Sequence, residues 1–190
     1  MTAPTAPKAA FQACVAKLLD LHFIRGIAAE DSPQAEALRD EMDPLWQAMT
    51  EEERGRIGAL SEDLAVIAEG GPSPVTMSAE ERAVSEARWQ TAYASQDWDS
   101  LLDLLRRPQS DRAPDEVAFL QAQFWERLAG PDAALVFLKE AARLNPATYS
   151  NVVAALEWRT RAERELVHHI TVPTEGPETN LPSASPTPAR

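Results

Sequence analysis

The sequence predicts an all-α protein, and three observations carry that expectation. Apolar residues recur at three- and four-residue spacings along most of the chain. Helix-start signals stand at the heads of those runs: Ser32 before Pro33, Thr50 three residues before Glu53, and Ser78 three residues before Glu81. An alternating strand pattern and Asn-Gly hairpin dipeptides are both absent.

Residues 1–7 hold Pro4 and Pro7 and are expected to be disordered. A first helix is expected over about 8–29, with one stripe of Phe11, Val15, Leu18 and His22 and a second of Leu19, Phe23 and Ile27. Two stripes predict a helix buried widely between neighbours. In the second helix, 33–49, serine caps and proline takes the first helical position, where its missing N–H costs nothing. Ala35, Leu38, Met42, Leu45, Trp46 and Met49 share one face there. Pro44 lies inside it and predicts a kink or a break, because proline removes one backbone hydrogen bond and crowds the preceding turn. The third helix, 51–69, opens with the Thr50–Glu53 capping box, buries Ile57, Leu60, Leu64 and Ile67, and stops at Gly70-Gly71. The stretch GGPSPVTM then reads as a linker, dividing a three-helix subdomain (8–70) from a second helical unit (78–170).

The second unit is expected to hold five helices. The fourth follows the Ser78–Glu81 capping box to about Ser95 and carries Val84, Trp89, Ala92 and Tyr93. A short fifth, about 98–107, carries Trp98, Leu101, Leu102, Leu104 and Leu105. The sixth starts at Pro114 and contains Val117, Leu120, Phe124 and Trp125; the turn at Gly130-Pro131-Asp132 leads into a seventh that ends at Leu144. After Asn145-Pro146 an eighth helix runs to about Ile170. The remainder, 171–190, is rich in proline, serine and threonine, has almost nothing to bury, and is expected to be a disordered tail.

Charge narrows the function. The chain has 190 residues with 18 Lys and Arg against 30 Asp and Glu, a formal net charge of −12. Nucleic-acid affinity comes largely from cations displacing counterions, so a nucleic-acid partner is not expected. No run approaches the roughly 18 apolar residues of a spanning helix, so no membrane partner is expected either. The single cysteine, Cys14, rules out an intrachain disulfide framework. The first twenty residues lack a signal-peptide pattern, and a cytoplasmic location is expected. The acidic residues concentrate on the outer faces of the second and third helices.

The second unit resembles the tetratricopeptide repeat family over residues 83–148, most closely over 115–148. The residues that carry the likeness are Ala122, Trp125, Ala134, Leu138, Ala141 and Pro146, in which small residues let two antiparallel helices approach and large ones fill between them. In the preceding pair, Tyr93 and Leu102 stand in the positions corresponding to Trp125 and Ala134, with Leu102 large where the family has a small residue. The resemblance implies antiparallel helical hairpins, here a tetratricopeptide-like array stacked on a three-helix cap. It also implies a concave groove lined by Glu116, Phe119, Gln123 and Glu126, with Ser150, Val153, Glu157 and Thr160 added by the next helix. Separately, residues 40–57, DEMDPLWQAMTEEERGRI, resemble a stretch found in uncharacterised bacterial helical proteins, which implies a helical hairpin and no activity.

The candidate chemistry is thin. His168 and His169 are adjacent and diverge by about 100° on a helix, a poor chelating pair. Glu36, Asp40 and Asp43 follow one helical face and read as a solvated acidic surface, with docking of a basic partner as its functional version. Cys14 beside Val15 reads as a small core residue, and His22 lies too far along the helix to pair with it. No nucleophile elbow and no phosphate-binding glycine loop occurs. Arg159, Arg161 and Arg164 interleave with Glu157, Glu163 and Glu165 as a salt-bridged helix face. Trp46 and Trp125 fall on packing stripes and are expected in the core, while Trp158 flanks none and is expected to be exposed.

The expectation is therefore a non-catalytic protein–protein interaction module with no cofactor and no metal. It would bind a protein or peptide, a basic one included, through Glu116, Phe119, Gln123, Glu126, Val153 and Glu157. The alternative is an acidic regulator, of inhibitor or antitoxin type, that binds a basic protein through residues 33–69.

Overall fold

The computed structural model describes residues 9–27, 32–70, 78–106 and 112–171, with side chains of the last helix described as far as Glu165. The expected disordered stretches at 1–7 and 171–190 (the latter apart from Thr171, which ends the last helix) and the linker at 71–77 lie outside the described residues, as do the side chains of His168 and His169. Among the described residues every regular element is a helix: α1 (Ala9–Ile27), α2 (Pro33–Ala48), α3 (Glu51–Ala68), α4 (Ala79–Ser95), α5 (Trp98–Arg106), α6 (Pro114–Leu128), α7 (Pro131–Leu144) and α8 (Pro146–Thr171). Among the described residues no helix is long and apolar enough to cross a membrane.

Local chemistry sets the helix ends. The Ser32 hydroxyl accepts from the Ala35 amide, with Pro33 at the first helical position. Both capping boxes form: the Glu53 amide donates to the Thr50 hydroxyl while the Thr50 amide donates to the Glu53 carboxylate, and Ser78 and Glu81 do the same at α4. Gly70 follows α3 with φ of 99°, a conformation an L side chain rarely adopts. Gly130 turns the chain between α6 and α7 with φ of 100°. At Pro44 the expected break does not occur, and α2 runs through it unbroken. The lost donor would have served the carbonyl of Asp40, a residue exposed to solvent, where an unpaired carbonyl costs little.

One core crosses the expected boundary between the two units. Phe11, Cys14, Val15 and Leu18 of α1 and Ile57, Leu60 and Leu64 of α3 belong to the same buried cluster as Leu101, Trp125 and Phe137. α1 packs on α2, α3 and α7, and Gln12 reaches the turn at Gly130. The decisive link is polar. Asp63 of α3 is 2 % exposed and accepts from Arg106 Nε at 2.8 Å, from Arg106 Nη2 at 3.1 Å and from the Trp125 indole Nε1 at 2.8 Å. Burial pushes the Asp63 carboxyl up from its usual range, and the guanidinium and indole donors oppose that push. A second, exposed bridge runs from Arg56 of α3 to Asp99 of α5.

Several sequence expectations are corrected here. The second stripe of α1 is only partly covered: Leu19 packs against the core but Phe23 is 68 % exposed, and Leu21 adds to the buried face. Trp46 is 38 % exposed, because α2 buries only Ala35 along its length and Met49 just beyond its end. Val84 and Tyr93 of α4 are exposed too. Asp63 belongs to the core rather than to the acidic outer face. Charged residues of α8 reach across to its neighbours: Arg159 pairs with Glu126 of α6, Arg164 with Asp132 of α7, and Glu157 with Lys139 of α7, while Arg161 adds its charge to Glu157 along the helix.

Removing the Asp63 carboxylate leaves a buried indole N–H without its acceptor and the Arg106 guanidinium with only the exposed Asp103 carboxylate. Asp63→Ala should lower unfolding stability by about 3 kcal/mol. Asp99→Ala, which breaks only the exposed bridge, should cost under about 1 kcal/mol. Urea midpoints of the two variants give the comparison, and equal effects would remove Asp63 from its central place. Cys14 is fully buried and burial pushes its thiol up from the ordinary value. Both effects starve a thiol reagent of thiolate, so labelling in native buffer should run at least about a hundredfold slower than in denaturant. Rapid native labelling would contradict the packing of α1.

Candidate functional site

The C-terminal helices build the groove surface that the repeat resemblance implies. α6 packs on α7 and α7 on α8, turning at Ala129-Gly130 and at Asn145. Ala122, Ala134 and Ala141 are all buried, and so are Trp125, Phe137 and Leu138. Small side chains let helix axes approach, and the rings fill what remains: Trp125 stacks on Phe137 with centroids 6.4 Å apart. The Asn145 amide donates to Asp115 at 2.9 Å, holding the α7–α8 turn against the start of α6.

Between α6 and α8, over α7, runs a groove of about 490 Å³. Its lining is mostly apolar, with Phe119 and Ala122 from α6, Leu138 from α7, and Val152, Ala155 and Leu156 from α8. Gln123 also lines it, and the Glu126–Arg159 ion pair stands at its edge. Trp158, 72 % exposed, stands on the same edge.

Of the six expected partner-binding residues, the structure brings Phe119, Gln123 and Glu126 to this groove. Phe119 is half-buried and stacks on Tyr149 of α8 with centroids 5.0 Å apart, so its ring is partly occupied in holding α8. Burial raises the Tyr149 hydroxyl from its ordinary value, and the nearby carboxylates of Asp115 and Glu116 add to that shift. Glu116 lies one turn before Phe119 and accepts from Arg112 at 2.7 Å. Val153 packs against the core, and Glu157 is turned to Lys139 of α7, whose ammonium lowers the Glu157 carboxyl from its usual value by hydrogen bond and charge. Ser150 is exposed, whereas Thr160 is buried with its hydroxyl donating to the Leu156 carbonyl at 2.9 Å.

Sequence reasoning missed Val152, Ala155 and Arg159 as lining residues. The signal was present: 152, 155 and 159 are spaced by three and four, one helical face of α8, a register displaced by one residue from the Val153, Glu157 and Thr160 face. The groove is also electrically neutral, since its acid and its base pair with each other.

Among the described residues no three His, Cys, Asp or Glu side chains converge on one point. His22 is half-buried on α1, where desolvation, then the charge of Arg25, lowers its pKa. No protein-family model, curated protein or solved structure matches the chain.

The Phe119–Tyr149 stack fixes α8 against α6 at the mouth of the groove. Phe119→Ala should cost about 2 kcal/mol of stability. Glu126→Gln, at an exposed pair, should cost under about 1 kcal/mol. Thermal or urea unfolding of both variants checks the ranking.

Proposed function

We propose that this chain is a non-catalytic interaction module that takes a short peptide or helix of a partner protein in the α6–α8 groove. The observation that supports this most is the apolar groove itself, with an exposed tryptophan on its edge, on a chain of net charge −12. An apolar surface bordered by an aromatic side chain suits the buried centre of a small interface. The likeness of residues 83–148 to tetratricopeptide repeats fits the same reading. A helix lying in the groove would meet small and branched side chains on its floor and the flat face of Trp158 at its rim.

A second reading keeps one specific observation: Glu36, Asp40 and Asp43 are all exposed on α2. On that reading the chain is an acidic regulator that binds a basic protein through residues 33–69.

Affinity capture from host lysate at low and moderate salt separates the two. Ala155 is exposed and lines the groove, so Ala155→Arg fills it without disturbing the core. A groove-bound partner should survive moderate salt and the double variant Glu36→Lys with Asp40→Lys. Its recovery should fall at least about tenfold with Ala155→Arg or Trp158→Ala. A partner lost with modest salt and with the α2 double variant would support the acidic regulator. A partner indifferent to Ala155→Arg would overturn the groove assignment.

A further inference from the structure

α8 closes the α6–α7–α8 array on its outer side, and little of it is covered. It packs chiefly on α7, and over residues 146–165 only Leu156 and Thr160 are buried. Trp158, 72 % exposed, is the least covered large apolar side chain among the described residues. Val152 and Ala155 lie exposed on the turns before it, and all three border the α6–α8 groove. The helix thus presents a ridge, the indole, directly beside a recess of about 490 Å³.

A ridge beside a recess is self-complementary. A two-fold axis running between them carries the Trp158 ridge of each copy onto the recess of the other, so a single contact is made twice. The small side chain of Ala155 at the rim lets the second helix come close.

Charge argues for the same occupant. Two chains of net charge −12 repel each other over most of their surface. Residues 30–70 carry twelve acids against three arginines, which opposes contact between copies there. Residues 146–165 differ: Glu157, Glu163 and Glu165 stand against Arg159, Arg161 and Arg164, three of each and a net of zero. At the groove edge Glu126 is matched by Arg159. The α8 face is therefore where two copies approach with the least repulsion, and its interleaved signs let an arginine of one copy meet a glutamate of the other. A strongly basic partner gains no net attraction at this face.

Taking the groove as the binding face, we propose that the helix it receives is α8 of a second copy of this chain. The product is a two-fold dimer in which each Trp158 indole lies in the other copy's groove. An indole buried at the centre of a small apolar contact is the kind of anchor that carries most of an interface's affinity. Salt screens the repulsion between the acidic remainders of the two copies and leaves the apolar contact in place.

Sedimentation equilibrium of the full chain tests the dimer. At about 100 µM protein the mass should be twice the chain mass of 20.8 kDa. Association should hold or tighten as salt rises from about 0.05 to about 0.3 M. Trp158→Ala and Ala155→Arg, both at exposed positions, should each raise the dimer dissociation constant at least about tenfold with the helical circular dichroism unchanged. Phe23→Ala removes a comparably exposed ring on α1 and should leave the dimer as it was. A monomer at that concentration, a dimer indifferent to both groove variants, or a dimer that dissociates as salt is raised would overturn the second copy as occupant. The groove as a binding face would survive in a monomeric chain that captures a lysate partner sensitive to Ala155→Arg. It would fall together with the dimer in a monomeric chain that captures none.

Discussion

The carboxylate of Asp63 is the constraint on which the arrangement of helices depends. Taking an ionised carboxylate out of water costs several kcal/mol, and only well-placed donors return it. Here the donors come from two other helices, the guanidinium of Arg106 from α5 and the indole of Trp125 from α6. The burden of burial falls on α3, while its compensation lies some forty and sixty residues further along the chain. α3 therefore cannot slide against α5 or α6 without leaving a charge unmatched. An apolar contact tolerates such sliding; three directed hydrogen bonds do not. The link turns the three-helix stretch and the later helices into one packed body.

Much of the secondary structure was legible in the chain. The capping boxes at Thr50 and Ser78, the proline starts at 33, 114, 131 and 146, and the turns at Gly70 and Gly130 are all short-range chemistry, and helix ends are set by such chemistry. Burial was less legible, because periodicity names a face without saying what covers it. Leu19 and Phe23 make an apolar stripe as regular as that of Phe11, Val15 and Leu18, yet Phe23 is left exposed. Trp46 lies on a good stripe of α2, but α2 packs chiefly on α1 and ends before a second neighbour reaches it. Asp63 is the inverse case. It stands among acids in a solvent-like context, and only partners far along the sequence reveal its place.

The candidate groove was half legible for a related reason. Positions on α6 carried over from the repeat resemblance, Phe119, Gln123 and Glu126, do line it. On α8 the register is displaced by one residue, and a one-residue step on a helix rotates a side chain by about 100°. Glu157 thereby turns to Lys139 on α7, and Arg159 comes to the groove beside Glu126. The ion pairs explain the choice of register. Lys139–Glu157, Glu126–Arg159 and Asp132–Arg164 each link α8 to α6 or α7, so opposite charges on neighbouring helices fix the rotation that alanine-rich surfaces leave undefined.

α6 joins these features because its three rings face different neighbours. Phe124 and Trp125 are consecutive and so diverge by about 100°. The first meets the Trp89 ring of α4, and the second reaches Asp63 of α3 and the Phe137 ring of α7. Phe119, on another side again, stacks on Tyr149 of α8. Each contact lies at a different depth: Trp125 is fully buried, Phe124 nearly so, and Phe119 only half. The contact to α3 is locked by charge and hydrogen bonds, and those to α4 and α8 are held mainly by ring packing and exposed charge. A central helix locked to α3 on one side can present its α8-facing groove without rearranging its own core.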